Sequence, residues 1–174
     1  MNNPAPSSAR TSALLQKASS FGLRLPQDLE RLAVQRGCGY YDSGLAGERQ
    51  PVAEAPLTDA ELAVALLSPS LSPTAQQIRI AAAMLSSPNV LPGELVKLAQ
   101  TEDCAGTVRY IAECGRRYEP ENPFWTQLLR SLPEVPVDRD ALPHPTRFIE
   151  MTGMIRGQVG FFTHWIRPRQ KVAA

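Results

Sequence analysis

Apolar residues recur at three- and four-residue intervals through most of this chain, in short stretches cut off by proline or glycine. That interval puts them on one face of a helix. Leu14, Leu15 and Ala18 form such a face and predict a helix from Ala9 to about Ser19, with Ser8 as its cap. Pro26 fits a helical first turn, Asp28 suits the positive end of the helix dipole, and Gly37 stops the run after Leu29, Leu32 and Ala33. Thr58 and Glu61 have capping-box spacing and open a helix to about Leu67. Ser72-Pro73 opens the next, to about Ser86. Pro92 starts one to about Gln100, Thr101 caps another to about Arg117, and Pro123 starts one to about Leu132. Pro145 or Thr146 then begins a helix to about Ile155. Beyond Gly157, the alternation of Val159, Phe161, Thr163 and Trp165 suits either a short strand or an ordered tail.

The fold class is therefore all-α, either an antiparallel helical bundle or a short solenoid-like array of helix pairs, with an ordered C-terminal tail. Residues 1–8 form a flexible N-terminal segment, 9–132 a helical body with a loop at 37–56, 133–145 a proline-rich linker, and 146–174 a C-terminal helix with a basic aromatic tail. An array would show a period, and one exists near 33. Leu25–Ala33 and Leu91–Ala99 agree at five of nine positions, 66 residues apart. Leu29, Leu62, Leu95 and Leu128 fall in phase, as do Ala33, Leu66, Ala99 and Leu132; Ile78 and Ile111 are likewise 33 apart, as are Ala75 and Val108. A period of this size marks stacked helix pairs. Pro, an acid and Leu-x-x-Leu-Ala is also a common way to open any helix.

Composition changes this picture at three points. The 174 residues hold 16 prolines, about twice the usual ~5% share, which keeps the helices short. The net charge of +1 conceals an asymmetry: residues 1–24 carry +3, residues 25–146 carry −6, and residues 147–174 carry +4. Basic ends suit nucleic acid, an acidic partner or the acidic middle of the same chain. No apolar run reaches the roughly 20 residues of a membrane-spanning helix, and the first ten residues do not resemble a secretory signal. Three cysteines without C-x-x-C spacing fit a reduced, cytoplasmic setting.

Candidate chemistry is sparse. Cys104 and Cys114 are ten apart, about 80° around a helix, and do not chelate together. His144 and His164 have no paired ligand, so neither metal nor cofactor is expected. Cys38, between two glycines, is the one thiol in an exposed-looking loop. Glu102, Asp103, Glu119 and Glu121 fit helix starts and turns. Two features stand out as partner-binding candidates: the loop with adjacent Tyr40 and Tyr41, and the tail containing Arg156, Phe161, Phe162, Trp165, Arg167 and Arg169. So many aromatics do not stay free in water; they dock on the chain itself or on something else.

These features favour a non-enzymatic interaction or adaptor protein that binds a protein partner through its helical body and its basic aromatic segment. One alternative is a nucleic-acid-associated accessory subunit, using Arg147, Arg156, Arg167, Arg169 and Lys171 on phosphates. The other is an enzyme with an unrecognised site, with Cys38 as its candidate nucleophile.

Overall fold

The computed structural model describes residues 12–38, 56–152 and 162–169. Among these the protein is mostly helical: α1 Ala13–Ser20, α2 Pro26–Gln35, α3 Asp59–Leu66, α4 Ala75–Leu85, α5 Pro92–Thr101, α6 Ala105–Tyr118 and α7 Pro123–Ser131, followed by β1 Ile149–Thr152 and β2 Phe162–Trp165. Short 3-10 turns occupy Pro69–Leu71, Arg139–Ala141 and Pro145–Phe148.

Local chemistry explains most helix starts. Pro26, Pro92 and Pro123 each stand at the first helical position, where a missing N–H costs nothing. Thr58 and Glu61 form a reciprocal box: the Thr58 hydroxyl accepts from the Glu61 amide at 3.1 Å, and the Glu61 carboxylate accepts from the Thr58 amide at 2.9 Å. α3 is apolar nearly all round, with Ala60 and Leu62 through Leu66 buried. It is accordingly the central helix, packed on α1, α2, α4 and α5. α5 continues the layer to α7, and α6 packs on both.

Four boundaries differ from the sequence expectation. α1 begins at Ala13 with Ser12, not Ser8, as its cap, because Ser12 also donates to the buried Glu102 carboxylate. α4 begins at Ala75: Thr74 and Gln77 make the capping box, three residues apart like Thr58 and Glu61. Thr101 ends α5 rather than capping the next helix. Its hydroxyl donates back to the Lys97 carbonyl, Asp103 takes a left-handed φ of 59°, and Cys104 becomes the cap of α6. The expected helix from Pro145 to Ile155 is absent over the described residues. Pro145 sets a 3-10 turn, and the chain then extends as β1, paired antiparallel with β2 in the register Ile149↔Trp165, Glu150↔His164, Met151↔Thr163 and Thr152↔Phe162. Hydrogen bonds to a distant strand override the local helical pattern here.

Leu29, Leu62, Leu95 and Leu128 are all buried, as are Ala33, Leu66, Ala99, Leu132, Ile78 and Ile111. Ala75 is exposed where Val108 is buried. The Thr58 hydroxyl donates to Glu94 at 3.3 Å, which sets the start of α3 beside the start of α5. Arg36 pairs with Asp59 at 3.1 Å, which sets the end of α2 against the start of α3.

Candidate functional site

Two places gather functional side chains. The first is where the C-terminal segment meets the helices. β2 carries Trp165 into the core, fully buried. Its ring stacks on Phe148 with centroids 5.4 Å apart and meets Trp125 edge-on at 4.8 Å. Its indole N–H donates to the Ala82 carbonyl at 3.3 Å. Ala82 is among the last four carbonyls of α4, which a helix leaves without an internal partner. Phe148 in turn meets Tyr110 edge-on, and Trp125 meets Phe124, so five aromatic rings run in series from α6 to α7. Gly115 makes room for them: a Cβ there would run into the Trp125 ring.

Polar contacts fasten the same segment at several helix ends. The Glu119 carboxylate, just after α6, accepts two bonds from Arg167 at 2.6 Å each, one from the Trp125 indole at 2.8 Å and one from Asn122 at 3.1 Å. Burial pushes the Glu119 carboxyl up, but the bonds from Arg167, Trp125 and Asn122 outweigh it and hold the group below its ordinary value. Ser86 donates to the Ile166 carbonyl at 3.1 Å, and the Arg169 amide donates to the Gly37 carbonyl at 2.9 Å. Gly37 has a φ of +123°, and a Cβ would collide with the Arg169 backbone, so only glycine fits.

Of the residues singled out in the sequence, Trp165 is thus a core residue and Arg167 is held by Glu119. The exposed Arg169 side chain reaches Glu150 at 3.9 Å. Phe162 opens β2 through its backbone; its side chain lies outside the described structure, as do Tyr40, Tyr41, Arg156 and Phe161. Glu119, in the turn before Pro120, gathers Arg167, Trp125 and Asn122 on one carboxylate. Its only sequence signal was its place three residues before a capping Asn122 and six before Trp125.

Cys38 is not exposed. It is fully buried with its thiol 3.5 Å from the Met84 sulfur, and burial, aided by Asp59, pushes that thiol up to about 12. Burial likewise pushes Cys104 to about 12 and Cys114 to about 11. None of the three thiols is activated as a nucleophile. Among the described residues, no group of Cys, His, Asp and Glu is placed to hold a metal ion, and no helix is long and apolar enough to cross a membrane.

The second place is an open cavity of about 370 Å³ between α6 and the proline-rich stretch that follows α7. Arg109, Tyr110 and Glu113 of α6 line one wall, and Val135, Val137 and Arg139 the other. Gly106 lets the stretch lie close, since a Cβ would strike Val137. Arg109 is fixed by donating to the Leu129 and Leu132 carbonyls at 3.0 and 3.1 Å. Arg139 donates to Glu113 at 2.8 Å and lies over the Tyr110 ring at 5.5 Å. The Tyr110 hydroxyl donates to the Pro143 carbonyl at 2.7 Å, pinning the far end of the stretch. No sequence motif marks this site, because it is assembled from residues up to thirty-three positions apart.

Compared with protein-family models, curated proteins and solved structures, the chain has no significant match.

Proposed function

We propose that this is a non-enzymatic interaction protein whose helical body binds a protein partner, with the cavity between α6 and residues 134–139 as the contact. The observation that carries the reading is the cavity's wall. Val135 stands about half exposed, and it borders two arginines already held in place by helix-end carbonyls, a carboxylate and an aromatic ring. Exposed apolar surface beside fixed arginines is how protein contacts are commonly built. The C-terminal segment serves the same reading by tying together α4, the end of α6 and α7 through Ala82, Glu119 and Trp125.

The body itself reads as stacked helix pairs, α3 with α4 and α5 with α6, and α7 beginning a third. The 33-residue step from the Thr58 cap to the Leu91 cap and the Thr58–Glu94 bond support this arrangement. α2 joins this series at its C-terminal end, where the capping Arg36 pairs with Asp59 at the start of α3. Three buried thiols support a reducing compartment such as the cytoplasm.

A photocrosslinking residue placed at Val135, with a second placed at Phe21 as an exposed apolar control, tests the reading in the native host. A discrete protein adduct from position 135 and none from position 21 is expected. Adducts to nucleic acid instead, lost as salt rises, would replace this reading with that of a nucleic-acid accessory subunit.

A further inference from the structure

The partner's chemistry follows from how the cavity distributes its charges and its backbone. Glu113 divides its two oxygens between two guanidinium groups. One faces Arg109 Nε at 3.6 Å, and the other accepts from Arg139 Nη2 at 2.8 Å. Arg109 spends its Nη1 on the α7 carbonyls, which leaves Nη2 turned to Glu134 at 3.5 Å. That last contact is long, and the Glu134 side chain is 88% exposed. An exposed pair of this kind contributes little and exchanges readily. Glu134 thus occupies a carboxylate position that an incoming carboxylate can take over.

The opposite wall adds a second, independent feature. Residues 134–137 run without regular structure between Pro133 and the 3-10 turn at Arg139. No backbone N–H or C=O of these four residues bonds to another described residue. They form an open strip beside the guanidinium pair, with Val135 and Val137 at its side, and all but Pro136 carry a backbone N–H to offer. An extended peptide can pair with such a strip while its terminal carboxylate reaches the arginines; backbone pairing and capture of a terminal carboxylate are both common modes of peptide recognition.

We infer that the cavity binds the free C-terminus of a partner chain, its carboxylate on Arg109 and Arg139 in place of Glu134 and its apolar last side chain against Val135, Val137 and Tyr110. This rests on the protein-interaction reading and names the part of the partner that is read.

The test uses the full chain and N-acetylated hexapeptides ending in valine, leucine or phenylalanine, each as free acid and as C-terminal amide, with affinity read by fluorescence anisotropy. The free acids bind at least about tenfold tighter than the amides, the effect of charge-assisted hydrogen bonds. R139A removes that preference. E134Q strengthens the acids by about two- to fivefold, because it removes the internal competitor. Both variants alter exposed side chains, and unchanged circular dichroism confirms that they fold. Equal affinity for acid and amide, or an E134Q variant that binds acids more weakly, overturns the inference. Silent peptides together with a crosslink from position 135 to an internal partner segment overturn it while leaving the interaction reading intact. Silence in both experiments overturns the two together.

Discussion

Replacing Trp165 by alanine probes whether the C-terminal segment belongs to the core. The side chain is fully buried between Phe148 and Trp125, and its indole N–H satisfies a helix-end carbonyl. Truncating a buried tryptophan of this kind costs about 3–5 kcal/mol through lost transfer energy and the cavity left behind. Phenylalanine at the same position keeps most of the packing. It loses the bond to Ala82, about 1 kcal/mol, and part of the ring contact, so W165F should cost roughly 1–2 kcal/mol in all. Against a total stability of about 5–15 kcal/mol for an ordinary domain, the alanine variant is a large perturbation. Chemical denaturation followed by far-ultraviolet circular dichroism gives both numbers, with Trp125 fluorescence as a second probe of the same ring cluster. A W165A midpoint within about 1 kcal/mol of wild type would refute the docking, because an exposed tryptophan costs about that little to remove.

Several other perturbations separate the remaining contacts. Glu119 has a depressed carboxyl value in the folded state, so its stabilising contribution is present above the ordinary value of 4.5 and fades as pH falls through the folded one. E119Q should therefore melt below wild type at neutral pH, with the gap closing under acid conditions; a gap independent of pH would refute the assignment. Gly115→Ala forces a methyl into the Trp125 ring and should destabilise by about 1–3 kcal/mol, the usual cost of overpacking, measured by the same denaturation. Leu95→Ala, at a fully buried position of α5, should cost about 2–5 kcal/mol. All three cysteines should resist a thiol reagent near pH 8 until the protein is unfolded, because burial raises each of them; fast labelling of Cys38 alone would revive the enzyme reading.

The helical body was largely legible because its signals are local. A proline at the first position of α2, α5 and α7, and the Thr58–Glu61 box, each act within one turn of chain. Where two local signals competed, sequence had no means to choose. Thr101-Glu102-Asp103 has the composition of a helix start, but Glu102 is drawn to Ser12, ninety residues earlier, and the chain turns at Asp103 instead. Cys38 between glycines looks exposed, but tertiary packing against Met84 of α4 buries it. β1 is the clearest failure. Residues 149–152 extend because a strand thirteen residues further on pairs with them, and periodicity carries no record of a partner. The cavity was invisible for the same reason: Arg109 and Glu113 are one turn apart on α6, but Arg139 and residues 134–137 reach them only through tertiary packing.

The bond from Ser86 to Ile166 spans eighty residues of chain. At the usual rate of synthesis, about 5–20 residues per second, some 4–16 s separate the emergence of its two halves from the ribosome. Through the last part of that interval, once Phe148 has emerged, the slot beside Ala82, Trp125 and Phe148 is made but unfilled, an apolar surface on a nascent chain whose central helices can already pack. The segment that later fills it therefore sets when the newly made protein stops being sticky, and a ribosome stalled between the two halves would hold it in the form most prone to capture by chaperones.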